Sequence, residues 1–347
     1  MAPIGIAIIG SGIFVKDQHL PAVAKCGLLS IKAIFSRSLK SAQDTAKLVA
    51  GDAPDLYSAD AGVGRTYHDL LLRDDVQAVI IALPIVSQPE YIEAALAAGK
   101  HVLAEKPIAA DVAAAKKLID YYRNVSSRNK STLAIAENHR FFDSFNYAKD
   151  QAANLGKLTH FSVRVFGNMS PDNKYFHTAW RNKPEYQGGF LLDGGVHHAA
   201  TTRLFLSGQD NAADTVQAFT ALTKAYLPPI DTVNAIIRTK SGATGSYQHS
   251  AGSNLSAFDW DLGYEKGTIK IEGQTVTVTP VGGEKTVKQF ERTSGVADEV
   301  AAWAQSLVDG KPNPLQSPEE ALADLEFVEK MFTSGDQNGA QQKYEFQ

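Results

Sequence analysis

The sequence predicts an α/β protein: a parallel, doubly wound sheet in the first part of the chain, then an α/β domain built on a large open, mostly antiparallel sheet. Three observations predict it. From Ile4 to about residue 140, apolar runs alternate with amphipathic helical segments, the pattern of strands joined by crossover helices. The first run ends in a Gly-Ser-Gly turn, Gly10 to Gly12. After about residue 210 the pattern becomes short alternating stretches rich in Thr, Val and aromatics, cut by Gly, Pro or Asp, as in an antiparallel sheet.

The elements follow in order. IGIAII, residues 4–9, is a short apolar run suited to a buried parallel strand. QHLPAVAKCG carries a helical pattern, SIKAIF reads as a second strand and SLKSAQDTAKLVA as a second helix. VQAVIIALP is a third strand, and SQPEYIEAALAAGK an amphipathic helix stopped by Gly99. HVLAEKP is a strand with Pro107 at its exit, DVAAAKKLIDYYRN a helix and STLAIAEN a further strand. GGFLLDGGVHH, residues 188–198, opens a helix that runs to about residue 207, with Gly208 as its stop. Strands are then expected at TVQAFTALT, TVNAIIRT, GATGSYQHSAG, AFDWDLGYE, GTIKIEG and QTVTVT. Two helices close the chain near DEVAAWAQSLVDG and SPEEALADLEFVEKMFTSG, the second capped by Ser317 with Pro318 as its first residue.

A length of 347 residues suits two domains. The expected division is residues 1–140, residues 141–335 with the closing helices packing back, and a polar tail at 336–347. A net charge of −4 gives no broad basic field, so neither nucleic acid nor an anionic membrane is expected as a partner. No apolar window approaches the ~18 residues of a membrane span. MAPIGIAIIGSG makes a poor signal peptide, and KYEFQ carries no retention or peroxisomal signal, so the cytoplasm is the expected compartment. Cys26 is the single cysteine, which excludes a disulfide within the chain and reads as a small core residue.

GSGIFV has the form G-x-G-x-x-V, placed after a first strand and before a helix. There Gly10 allows the tight turn and Gly12 lets a pyrophosphate approach the helix start. The free backbone N–H groups of the turn, which includes Ile13 and Phe14, and the positive end of the helix dipole bind the anion. This makes residues 1–140 a dinucleotide-binding Rossmann domain. Val15, where a small residue usually sits, implies a slightly wider helix–strand contact. The second strand exits through AIFSRSLK, with no Asp or Glu between Ile31 and Gln43 to hold a ribose 2′-hydroxyl. Ser36, Arg37, Ser38 and Lys40 instead offer donors and positive charge to a 2′-phosphate, so the expected cofactor is NADP (NADPH) rather than NAD. Glu105, Lys106 and Pro107 stand at the carboxyl end of a parallel strand, the edge where such sheets bind ligands. A lysine held there, partly desolvated and near a cationic nicotinamide, is drawn toward the acid–base range.

Taken together, the GxG turn, ALAAGKHVLAEKPIA, ENHRF, WR, GGFLLDGGVHH and SPEEALADLEFVEKMFTS resemble the Gfo/Idh/MocA family of nicotinamide-dependent oxidoreductases, over about residues 4–335. GIF…HLP, EKPIAA and KPEYQGGFLLDGGVH look most like a fungal NADP(H)-dependent branch. The resemblance implies a Rossmann domain followed by an α/β domain whose open sheet face often carries oligomer contacts, hence a homodimer or higher homo-oligomer. It implies that Lys106, Asp193 and His197 face the nicotinamide from two domains, and that Trp180 and Arg181 lie near cofactor and substrate. Two departures stand out. Where the family often shows T-P-N-x-x-H, this chain has Leu83, Pro84, Ile85 and Gln88, with Leu83 and Pro84 left as the cofactor-loop candidates. Where sugar and inositol enzymes often carry an Asp three residues after the catalytic His, it has Ala200, which weakens an inositol assignment.

Asp193 and His197 are four residues apart and share a helix face. The aspartate can orient and charge-stabilise the imidazole, which exchanges a proton with a substrate oxygen. Gly194 and Gly195 between them cost about 1 kcal/mol each against alanine in a helix interior. Clearing side chains for a close ligand is a reason to accept that cost. Tyr175, Phe176 and Phe166 could form an aromatic wall, with Trp180 and His198 as further substrate-side candidates and Asn138 and Arg140 as a rim. A metal is not expected: Asp193, His197, His198, His177 and His249 lack a recognised ligand spacing. The expected activity is an oxidoreductase that moves a hydride between NADP(H) and a carbonyl or secondary alcohol of a sugar, aldehyde, ketone or diol. His197 is the proton donor, Lys106 polarises the same oxygen and Asp193 tunes His197. The competing reading is a cofactor-sensing regulatory protein of the same fold without turnover. An enzyme that keeps its nucleotide and shuttles hydride between two substrates is a third.

Overall fold

The computed structural model describes residues 2–208 and 210–347. They form two compact units: one holds the described residues up to Asn138 together with Ser294–Leu322, the other His139–Thr293 with Ala323–Gln347.

The first unit is built on a six-stranded parallel sheet of β1 (Ile4–Ile9), β2 (Leu29–Ser36), β3 (Asp55–Ser58), β4 (Ala78–Ile81), β5 (His101–Glu105) and β6 (Leu133–Ala136). Its order is β3-β2-β1-β4-β5-β6, two mononucleotide halves joined at the β1–β4 pair. After Ile4, β1 is buried throughout, as is all of β4. A strand covered on both faces reads as a continuous apolar run, which is why IGIAII and AVII were legible. The crossovers are a π-helical turn (Val15–His19) continuing into α1 (Leu20–Lys25), then α2 (Leu39–Ala46), α3 (Tyr67–Leu71), α4 (Gln88–Ala97) and α5 (Val112–Asn129). β3 and α3 were not anticipated. DLYS and YHDLL are too short for periodicity to register, and β3 is an edge strand that pairs only with β2.

The second unit begins with α6 (Asp143–Ala152), β7 (Leu158–Asn168), α7 (Ala179–Asn182) and α8 (Phe190–Phe205). The sheet continues as β8 (Ala213–Ala221), β9 (Thr232–Thr239), β10 (Thr244–Ser250), β11 (Gly252–Tyr264), β12 (Gly267–Glu272), β13 (Thr275–Pro280) and β14 (Thr286–Gln289). With β15 (Gln342–Lys343) it has nine strands in the order β14-β13-β12-β11-β7-β10-β9-β8-β15. All neighbours are antiparallel except β7 and β10. The six strands expected beyond residue 210 are present; β7, the strand that makes the parallel pair, was missed. Its signal is the alternation of buried Phe161, Val163 and Val165 with Ser162 and Arg164. α6 and α8 pack against each other and against this sheet, while Phe219 and Ile236 stand exposed on β8 and β9.

α9 (Val296–Asp309) returns to the first unit and packs on α1, placing Trp303, Val296 and Val300 in the core beneath β1. α10 (Pro318–Asp336) follows, its start capped by the Ser317 hydroxyl, which accepts the Glu320 N–H at 3.2 Å. Its first residues group with the first unit and the rest with the second. The segment expected as a tail is docked. β15 pairs with β8, the Tyr344 ring stacks on Phe327 at 5.5 Å, and the Glu326 carboxylate accepts the N–H groups of Glu345 and Phe346 at 2.6 and 2.9 Å.

Arg140, expected on a ligand-binding rim, is instead 2% exposed. Its guanidinium meets Asp324 at 2.7 Å, and Arg203 of α8 meets the same carboxylate at 2.6 Å. One buried anion therefore ties α8 and α10 to the start of the second unit. Removing one partner of a buried ion pair leaves the others uncompensated, typically at about 3–5 kcal/mol. Asp324→Ala should lose stability on that order in urea denaturation; a midpoint within error of the native protein would contradict the account.

Candidate cofactor and active-site residues

In the first unit every candidate sits at a strand exit. Gly10 closes β1 with φ +120°, and a Cβ there would collide with the Ala82 carbonyl oxygen, so the fold itself demands glycine. Gly12 differs: it is exposed, and a Cβ built on it would meet nothing within 4 Å. Between them the Ser11 hydroxyl is buried without a hydrogen-bond partner among the described residues. Ile13 and Phe14 follow half-buried, and Val15, fully buried, opens the π-helical turn.

At the β2 exit Ser36 is buried. Ser38 is occupied as the cap of α2: its hydroxyl accepts the Ser41 N–H at 3.3 Å and donates to the Ser41 hydroxyl at 2.9 Å. Arg37 and Lys40 are exposed. A carboxylate absent from the β2 exit in sequence arrives from β3. Asp60 accepts the Ser58 hydroxyl at 2.6 Å and the Leu39 N–H at 2.8 Å, and these bonds hold it below the usual carboxylate pKa. The Ser36–Ser58 register brings it there. No local motif could have shown it, because the approach follows from the strand order. Leu83 and Pro84 lie half-buried at the β4 exit.

At the β5 exit Glu105 Oε1 lies 2.8 Å from His19 Nε2. An ionised carboxylate only accepts, so Nε2 carries the hydrogen. Gln88, at the start of α4, donates through Nε2 to the carbonyl oxygens of Glu105 at 2.9 Å and Pro107 at 3.3 Å. Lys106 lies half-buried between them. Asn138 beyond β6 uses its side-chain amide on the Ser294 carbonyl at 2.6 Å.

In the second unit the candidates gather around the start of α8. Asp193 is buried, and its Oδ2 accepts Arg181 Nε–H at 2.7 Å. The Arg181 guanidinium lies 3.9 Å from the Trp180 ring centroid and 5.3 Å from that of Tyr175. Arg181 is thus fixed on three sides, which sequence reasoning did not anticipate. Tyr186 packs beside Trp180, and burial, with the Asp193 charge nearby, pushes its phenol pKa up. Phe176, expected in an aromatic wall, is buried in a small core with Phe190 and Leu227. Phe166 is half-buried on β7.

His197 follows Asp193 by one helical turn. Its ring stacks on His139 with centroids 4.5 Å apart and planes 16° from parallel. His139 Nδ1 lies 3.3 Å from the Thr201 hydroxyl, which in turn donates to the His197 carbonyl at 3.1 Å. His139 was missed, although Asn138 and Arg140 beside it were singled out. His198 points to another neighbour, with its ring edge-on to His249 at 4.8 Å. The two glycines of the helix have different reasons. A Cβ on Gly195 would press on His249 at 3.3 Å, whereas one on Gly194 would meet nothing within 4 Å. Packing accounts for the first and not for the second.

Comparison with known proteins finds one family in both parts of the chain. Residues 4–129 match the oxidoreductase family model with an NAD-binding Rossmann fold, and residues 150–270 match the Gfo/Idh/MocA C-terminal domain. Dehydrogenase FPY6 of Fusarium mangiferae is 38% identical over 99% of this chain and 100% of its own. The dTDP-3,4-didehydro-2,6-dideoxy-alpha-D-glucose 3-reductase of Saccharopolyspora spinosa is 27% identical over 88% of this chain and 84% of its own. The crystal structure of an oxidoreductase from Thermotoga maritima superposes with a TM-score of 0.86 at 31% identity, covering 98% of both chains. Among the described residues no helix is long and apolar enough to cross a membrane.

Burial lowers the His249 pKa from 6.5 to about 4. The folded state therefore holds this imidazole neutral where the unfolded chain would protonate it. The unfolded state binds more protons between about pH 6.5 and 4, so stability falls as pH drops through that window. His249→Gln should flatten this acid-side loss, read as the urea midpoint against pH; an unchanged slope would show that His249 is not its source.

Proposed function

The chain belongs to the Gfo/Idh/MocA oxidoreductase family, and from that premise we propose that it is an NADP(H)-dependent oxidoreductase acting on a carbonyl or secondary alcohol of a small molecule. The observation that carries the reading is the start of α8. There Asp193 is locked by Arg181 at 2.7 Å, His197 follows one turn later, and Gly194 leaves open space beside both.

The first unit fits a dinucleotide. Gly12 leaves a Cβ-sized opening that no protein atom fills, and the Ser11 hydroxyl beside it is a buried donor with no partner among the described residues. The turn from Gly10 to Phe14 would hold the pyrophosphate, with Leu83, Pro84 and Glu105 on neighbouring loops. Arg37 and Lys40, both exposed, would hold a 2′-phosphate, while Asp60 is engaged with Leu39 and Ser58. That balance favours NADPH over NADH.

When bound, the nicotinamide supplies or accepts the hydride. In the reducing direction His197 delivers a proton to the substrate oxygen as the carbonyl carbon is reduced, and Lys106 polarises that oxygen. Asp193, held by Arg181, supports the charge that develops on His197. In the oxidising direction His197 takes the hydroxyl proton. Tyr175, Trp180 and His198 are the substrate-side candidates. The relatives named as sugar 3-reductases support a sugar carbonyl within the wider class. The exposed Phe219 and Ile236 support a homo-oligomer formed through the nine-stranded sheet. We place the protein in the cytoplasm.

NADPH oxidation against a panel of aldehydes, ketones, aldoses and diketones tests the reading. Lys106→Ala should lower turnover at least about 100-fold while NADPH still binds. Binding without turnover on any carbonyl would favour a cofactor-sensing regulator. Gly12→Ala should keep or raise the melting temperature yet weaken NADPH at least about tenfold, since only a ligand would meet the new methyl group; unchanged affinity would remove the pyrophosphate from this turn.

A further inference from the structure

Lys106 carries the polarising role in the reading above, and that role raises the question of how the chain around a lysine at a strand exit is held in one place. The answer lies in two buried side chains from other loops. Gln88 is 0% exposed, and its amide nitrogen donates to the carbonyl oxygens of Glu105 and Pro107, the residues on either side of Lys106. With carbonyl acceptors on both bonds, that end of the carboxamide must be the NH2 group, which fixes the amide orientation. Its Oε1 is buried without a partner among the described residues, so these two bonds account for the hydrogen bonding found for this side chain. His19, also 0% exposed, holds the Glu105 carboxylate from the π-helical turn behind Gly12.

Burying a carboxamide and an imidazole inside a sheet-and-helix core is costly unless their bonds matter to the structure around them. Both sets of bonds end on the same three-residue turn. The Gln88 pair spans Lys106: one bond holds the carbonyl of the peptide unit just before the lysine and the other the carbonyl of Pro107 just after it, so the chain on both sides of Lys106 is tied to α4. A small displacement of an acting group has large kinetic consequences: about 1 Å can cost on the order of 100-fold in rate.

We propose that Gln88 is a positioning residue for Lys106, holding the backbone on both sides of the lysine so that its amine reaches the reacting oxygen, with His19 fixing the adjacent Glu105 in support. The proposal rests on the reading of Lys106 given above. Gln88 touches neither cofactor nor substrate in this account, so its removal lowers kcat and leaves cofactor binding alone.

The test compares Gln88→Met, which keeps length and volume without the N–H donor, with Gln88→His, whose Nε2–H can occupy much the same place. Lys106→Ala is run in the same assay with NADPH and the best carbonyl of the panel. Gln88→Met should lose about 10- to 100-fold in kcat with NADPH Kd changed less than about threefold, and Gln88→His should recover most of that loss. Should Gln88→Met fail to fold, Gln88→Leu, which likewise lacks the donor and fills the space, is read the same way. A Gln88→Met enzyme with native kcat overturns the proposal. So does equal loss in both variants, because packing rather than donation would then explain it. If Lys106→Ala itself keeps native turnover, the reading of Lys106 falls first; if Lys106→Ala is inert while Gln88→Met keeps native kcat, only the role of Gln88 falls.

Discussion

A parallel sheet sends the carboxyl end of every strand to one edge, and the chemistry of the first unit depends on that constraint. Five loops that lie far apart in sequence meet there: the glycine turn after β1, the Arg37 loop after β2, Asp60 after β3, Leu83 and Pro84 after β4, and Lys106 after β5. The order β3-β2-β1-β4-β5-β6 also places β1 beside β4, opening the crevice where such sheets bind dinucleotides. Side-chain bonds then make these loops one body. His19 ties the first helix to Glu105, Gln88 ties α4 to both neighbours of Lys106, and Asp60 ties the β3 exit to α2.

The second unit solves a different problem. α8 is apolar on most faces, with Leu191, Leu192, Val196, Ala199, Ala200 and Leu204 all buried, yet it must also present a charged pair. Buried charges are stable only when paired. Arg181 meets Asp193 at the first turn of the helix, and Asp324 meets Arg203 at the last. The histidines between them have ring neighbours, His197 on His139 and His198 on His249. The helix is thus braced at both ends by ion pairs, with an open position at Gly194.

Much of this was legible in sequence because it is local. Strands buried on both faces announce themselves as apolar runs, and the Gly-Ser-Gly turn, Glu105-Lys106-Pro107 and the Asp193–His197 spacing are contiguous patterns. Elements that escaped were short, as β3 and α3 are, or isolated, as β7 is, flanked by irregular chain and separated from the other strands by α8. Among polar residues the misses have one cause. Asp60, His19, Gln88 and His139 act through partners at sequence separations of 21, 86, 17 and 62 residues, and no local pattern encodes such a meeting. Arg140 erred the other way, since a charged residue after a strand reads as exposed until Asp324 is seen beside it.

By itself the sequence determined the class of fold, and it offered candidates for a dinucleotide turn and for proton exchange. These follow from backbone sterics, hydrophobic period and side-chain chemistry, all set within a few neighbouring residues. Only the tertiary structure decided which of those groups are held and by what. It assigned Ser38 to a helix cap, Phe176 to a core and the closing segment to a sheet edge, and it separated Gly195, constrained by packing, from Gly194, which packing leaves open. Those distinctions depend on distances between distant parts of the chain, which are fixed only when the apolar faces of the sheets and helices are buried together.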